Sequence, residues 1–129
     1  MSYNSLTEVP TFDLPNLQEL NLSDNEMTGV LVFELPNLRE LSLSHNKLTE
    51  VPTFDLPNLE ILNLSYNSLI QVPAFDLLNL RYLDLSNNSL TEVPKFDLPN
   101  LQELELYDNE FTEPIKKQLK EKYKNKVNI

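Results

Sequence analysis

Cysteine is absent from the 129 residues, and glycine and histidine occur once each, as Gly29 and His45. Without cysteine there is no disulfide, no zinc–thiolate site, no iron–sulfur cluster and no thiol nucleophile. One glycine cannot build a phosphate-cradling loop or a dinucleotide fingerprint. One histidine argues against a histidine-based metal site, and no cofactor is expected. No run of about 18 apolar residues occurs, so no membrane insertion is expected. The opening MSYNSLTEVP carries neither a basic cluster nor an apolar run, and it does not read as a secretory signal. The absence of cysteine fits a reducing cytoplasm, with a bacterial surface protein as the alternative, and the residues leave the compartment open.

What is present fits one ordinary globular domain, with 40% apolar and 23% charged residues. The net charge of −10 is unevenly placed. Residues 1–113 hold 19 acidic and 4 basic side chains (Arg39, Lys47, Arg81, Lys95), a balance of −15. Residues 114–129 hold six lysines and Glu121, a balance of +5. A body this acidic repels phosphate backbones, so nucleic acid is not an expected partner. The lysine-rich tail reads as a solvated face rather than a binding arm.

Internal repetition decides the organisation. Asn4, Asn25, Asn46, Asn67, Asn88 and Asn109 stand 21 residues apart without a slip, as do Leu17, Leu38, Leu59, Leu80 and Leu101. Aligned on these columns, the chain reads LQELNLSDNEM, LRELSLSHNKL, LEILNLSYNSL, LRYLDLSNNSL and LQELELYDNEF. Between them recur LTEVPTFDLPN, LIQVPAFDLLN and LTEVPKFDLPN.

This pattern resembles the leucine-rich repeat family, whose signature is L-x-x-L-x-L-x-x-N-x-L, with a short repeat similar to the bacterial or internalin-like type. The resemblance implies an α/β fold: a right-handed solenoid with a curved parallel β-sheet on the concave face and short turns or 3-10 segments on the convex face. It also implies a role in binding proteins.

The residues support the fold on their own terms. Leu20/Leu22, Leu41/Leu43, Leu62/Leu64, Leu83/Leu85 and Leu104/Leu106 alternate with polar residues, the period of a half-buried strand. Identical strands stacked at a fixed period form a parallel sheet, covered here on one face only. The asparagine column is expected in the following turn, its amide bonding to backbone groups of its own and adjacent repeats. Val-Pro at 9–10, 51–52, 72–73 and 93–94 forces extended backbone on the outer side. Phe12, Phe33, Phe54, Phe75 and Phe96 are expected to stack as a spine. Asp13, Asp55, Asp76 and Asp97, with Glu34, are expected to cap a short helical turn of D-L-P-N. A calcium ladder is the alternative for that column.

Residues 1–113 form the solenoid and residues 114–129 a C-terminal cap. Pro114 suits a helix start, Ile115, Leu119 and Tyr123 form one apolar stripe, and Val127 and Ile129 fit a last strand. Such caps close the core of a solenoid. At the other end Met1 falls in the column of Leu64. The N-terminal edge therefore lacks a strand, and Leu6, Val9 and Phe12 are expected to be partly exposed and prone to self-association.

No column of the inner face points to catalysis. Asp84 and Glu105 are adjacent, as are Glu19 and Glu40, and paired carboxylates suit a retaining glycosidase. On an open sheet they read as solvated acids. Ser23, Ser44, Ser65 and Ser86 border His45 without the oxyanion hole and orienting acid that a serine nucleophile needs. The expectation is no enzyme.

Departures from the repeat consensus at exposed positions mark a candidate site. The column Glu19, Glu40, Ile61, Tyr82, Glu103 has two apolar members side by side, and the column Asp24, His45, Tyr66, Asn87, Asp108 adds Tyr66 and His45. Ile61, Tyr82 and Tyr66, bordered by His45, Glu40, Asp84, Glu103 and Glu105, have the composition of an interface core with a charged rim. The function read from the sequence is non-catalytic recognition of a protein or peptide on an acidic concave face, whose charge suits a basic partner. The alternatives are a structural or spacer segment of a larger surface or effector protein, or an engineered repeat scaffold. Carbohydrate binding is a third reading.

Overall fold

The computed structural model describes residues 3–9, 13–29, 31–92 and 94–129. Each L-x-L segment supplies one short strand: β1 (Glu19–Asn21), β3 (Glu40–Ser42), β5 (Ile61–Asn63), β6 (Tyr82–Asp84) and β7 (Glu103–Glu105). On the outer side of the second and third repeats lie β2 (Val32–Glu34) and β4 (Thr53–Asp55). The chain closes with helix α1 (Glu113–Tyr123), a 3-10 turn at Lys124–Lys126 and β8 (Val127–Asn128). The six-stranded sheet runs β1-β3-β5-β6-β7-β8, and every neighbouring pair is parallel. β2 and β4 form a separate parallel pair.

Register follows the repeat. Leu20 pairs with Leu41, Leu41 with Leu62, Leu62 with Leu83, and Leu83 with Leu104. The last step is Leu104 to Val127, so the cap adds a strand in the register expected of it. Leu22, Leu43, Leu64, Leu85 and Leu106 are fully buried, and the intervening side chains of the strands stay on the open face. The alternation therefore buries one face of the sheet and leaves the other uncovered.

The asparagine column does what its chemistry predicts. Asn67 Oδ1 accepts from Leu48 N at 3.0 Å, while its Nδ2 donates to Leu43 O, Leu64 O and Ser65 O. Asn46, Asn88 and Asn109 repeat this pattern, each tying its own turn to the preceding repeat. One amide, with two N–H donors and an acceptor oxygen, thus satisfies donors and acceptors from two repeats.

The aromatic spine also forms. Phe33 stacks near Phe54 (6.1 Å), Phe54 meets Phe75 edge-on (6.3 Å), and Phe75 stacks on Phe96 (5.2 Å). Tyr123 of α1 ends the series, 6.4 Å from Phe96. Phe12 and Val93 lie outside the described residues. Leu119 is fully buried and Ile115 and Tyr123 half-buried, so the stripe of α1 covers the end of the core. At the opposite end Leu6, Val9, Leu17 and Leu20 are only half-buried.

The D-L-P-N segments differ from expectation. Each forms a β-turn closed by a backbone hydrogen bond, such as Leu59 N to Leu56 O at 3.1 Å, rather than a capped helical turn. Proline at the second turn position favours that geometry. Asp13, Asp55, Asp76 and Asp97 are exposed, and their carboxylates cap no turn among the described residues. The turn's asparagine does the work instead. Asn37, Asn58, Asn79 and Asn100 each donate to a carbonyl 22 residues earlier (Pro15, Pro36, Pro57, Leu78) at 2.6–2.8 Å. This second ladder was visible in the sequence as a 21-residue column of asparagines.

Candidate functional site

The open face of the six-stranded sheet carries two rows of side chains. The first row, across the strands, is Glu19, Glu40, Ile61, Tyr82, Glu103, with each pair in direct register. The second is Asn21, Ser42, Asn63, Asp84, Glu105, Asn128. A shallow depression of about 400 Å³ runs over this face and is lined by Glu19, Glu40, Ile61, Asn63 and Tyr82. Ile61 is 36% exposed and Tyr82 half-buried, so the apolar pair is accessible and backed by a rigid ladder.

Asp84 and Glu105 are not solvated acids: both are buried. Asp84 Oδ1 accepts from Ser86 N (2.9 Å) and Ser86 Oγ (2.6 Å). Glu105 Oε1 accepts from Asn128 Nδ2 at 2.7 Å, because β8 adds a strand beside it. Burial pushes the Glu105 carboxyl above the usual range, Asn128 pulls it back, and Glu103 and Asp84 push it up again. Burial, with the nearby Asp84, Glu105 and Glu103 carboxylates, also raises the Tyr82 hydroxyl to about 12. Tyr82 therefore remains a neutral hydrogen-bonding group through the physiological range.

Tyr66 and His45 sit elsewhere than the sequence suggested. β5 ends at Asn63, so Tyr66 lies in the turn beyond it, and His45 occupies the same turn after β3. The whole column Tyr3, Asp24, His45, Tyr66, Asn87, Asp108 has φ between 52° and 59°. Asparagine, aspartate and histidine tolerate this left-handed conformation, but for a tyrosine it is strained. The rings of His45 and Tyr66 stack at 4.1 Å with planes 10° apart. They make an aromatic ledge at the strand-exit edge rather than part of the face itself.

The serine column takes no part in a dyad. Ser65 and Ser86 donate to Asn63 and Asp84 of their own strands, Ser23 to Asn21, and Ser42 and Ser44 share a hydrogen bond. These hydroxyls fasten strand to turn, and none bonds His45 among the described residues. No cluster of metal-ligating side chains occurs among the described residues. No helix there is long and apolar enough to cross a membrane.

Two other surfaces compete for attention. At the strand-entry edge Glu60 bridges Arg39 (3.4 Å) and Arg81 (3.8 Å), so both guanidiniums are already paired. On the outer side a hollow of about 430 Å³ is lined by Val51, Val72, Pro73, Ala74 and Pro94 among others. The exposed Ile70 lies outside that lining, whereas Ile61 and Tyr82 adjoin each other on paired strands.

A sequence profile described as "Leucine Rich repeats (2 copies)" matches residues 36–76 and again 78–120, and one described as "Leucine rich repeat" matches 1–48. No curated protein matches the chain. Among solved structures it is similar to a leucine-rich repeat protein of Leptospira interrogans, with 30% identity and a TM-score of 0.62. The match covers 90% of this chain and spans 38% of that protein.

Proposed function

The chain belongs to the leucine-rich repeat family, and on that premise we propose that its open sheet face is a non-catalytic surface for recognising a protein or peptide. Members of the family are generally protein-interaction modules and typically not enzymes. The observation that carries the reading is the register of Ile61 and Tyr82. The exposed Ile61 and the half-buried Tyr82, the two uncharged members of their row, stand on adjacent paired strands, with Glu40 and Glu103 on either side. An accessible apolar centre with a charged rim is the anatomy of a recognition surface. The His45–Tyr66 ledge lies beyond the strand ends, and the surplus of carboxylates steers a basic partner.

A second reading is supported by length. The chain spans 38% of the Leptospira interrogans protein, so a repeat segment within a larger array is the alternative role. The half-buried Leu17 and Leu20 at β1 would then be the contact with further repeats, or with a second copy of the chain.

The test is a hydrogen-exchange footprint with a ligand selected from a displayed random-peptide library. Slowed exchange in β5, β6 and β7 on binding is expected. Slowing confined to the outer segments around Val51, Val72 and Pro94 would move the site to the other side.

A further inference from the structure

We propose that the open face reads an extended segment in which one apolar residue is flanked, two positions away on each side, by lysine or arginine. The inference deepens the recognition reading above and rests on it. Apolar surface on this face runs across the strands. Ile61 and Tyr82 are in register, whereas the next open-face residues along the same strands, Asn63 and Asp84, are polar. The row continues to Glu40 on one side and Glu103 on the other. A ligand that covers the apolar pair and meets both carboxylates must therefore cross the strands.

Spacing then selects its conformation. Strands about 4.8 Å apart place Glu40 and Glu103, three steps from each other, at about 14 Å. An extended chain advances about 3.4 Å per residue and presents alternate side chains to one face, so positions i and i+4 are also about 14 Å apart. Position i+2 then falls over the middle of the Ile61–Tyr82 pair. A helix advances only about 6 Å over the same four residues and would leave one carboxylate unmet.

Charge selects the flanking residues. The ion pairs among the described residues are Arg39–Glu60, Lys47–Glu26, Arg81–Glu60 and Lys116–Glu113, and none engages Glu40 or Glu103. Asp84 lies next to Glu103's strand and adds negative potential there. Cations at i and i+4 would meet carboxylates without a cationic partner at both ends of the apolar pair, Glu103 sharing only a hydrogen bond with Glu105.

The experiment is fluorescence anisotropy of the full chain with short labelled peptides. One peptide carries lysines two positions either side of a central leucine, and a second carries the same lysines directly beside it. A third has glutamates in place of the correctly spaced lysines. The first should bind about tenfold tighter than the second, and the third should not bind. Glu40→Lys with Glu103→Lys, checked for folding by circular dichroism, should reverse the preference toward the third; Glu40→Gln with Glu103→Gln should remove it. Equal binding of the two lysine peptides, or no binding of the first at millimolar concentration, would overturn the motif. If binding ignores spacing but is lost in Tyr82→Ala, the motif fails while the recognition face stands. Binding indifferent to Tyr82→Ala and to both glutamate variants would remove the face as well.

Discussion

His45 and Tyr66 stack ring on ring at 4.1 Å although both sit in left-handed backbone, one repeat apart. Their equivalents Asp24, Asn87 and Asp108 are residue types that tolerate this conformation, as histidine does, which leaves Tyr66 and the exposed Tyr3 as the strained members of the column. Stacking on His45 offsets part of the strain at Tyr66, since aromatic pairs contribute about 0.5–1.5 kcal/mol beyond burial.

Substitution separates strain from stacking. Tyr66→Asn should leave stability within about 1 kcal/mol of the parent, because relieved backbone strain offsets the lost stack. Tyr66→Val keeps a left-handed requirement that a β-branched residue meets badly, and should be less stable than Tyr66→Asn by about 1–2 kcal/mol. Urea unfolding of the two variants checks the difference.

The asparagine ladder gives the clearest stability effect. Asn67→Ala strips Leu48 N of its acceptor and the carbonyls of Leu43, Leu64 and Ser65 of a shared donor. The expected loss is about 1–3 kcal/mol in a urea melt. A loss within experimental error would contradict the role given to the turn.

Stability should also be uneven along the solenoid. Leu17 and Leu20 are half-buried, whereas their counterparts Leu59, Leu62, Leu80 and Leu83 are fully enclosed. Amides of β1 should exchange with solvent faster than those of β5 and β6 in native-state hydrogen exchange. Equal protection in a verified monomer would refute this.

Glu105 gives stability a pH dependence of known sign. Its carboxyl is raised by burial, so between the ordinary glutamate range and the raised value the folded state binds a proton that the unfolded chain has released. Its contribution is therefore greatest below the ordinary glutamate range and is lost as pH rises through the raised value. Glu105→Gln should be more stable than the parent at neutral pH, and the gap should close as the medium is acidified to where Glu105 is protonated. Thermal melts across that range read the gap.

Repetition made most of the architecture legible. The leucine alternation fixed which face is buried, the asparagine column fixed the turn, and the distance from Leu104 to Val127 foretold the added strand. Backbone handedness was not legible at His45 and Tyr66, because their side chains do not advertise the left-handed turn that Asp24, Asn87 and Asp108 hint at. The burial of Asp84 and Glu105 was missed for a different reason. It depends on partners outside the column, Ser86 in the turn that follows Asp84 and Asn128 on the added strand beside Glu105, which a column-by-column reading does not weigh. At D-L-P-N, the capping habit of aspartate drew attention from the asparagine three residues on.

The central claim concerns which face recognises a partner, and the affinity of one selected ligand for three forms of the chain tests it most directly. Calorimetry should show Tyr82→Ala weakening binding by about 2 kcal/mol or more, roughly thirtyfold, while the variant stays folded at the assay temperature. Asp55→Ala, on the outer strand β4, should bind as the parent does. An affinity that ignores Tyr82→Ala and falls with Asp55→Ala would contradict the account and put recognition on the opposite side of the solenoid.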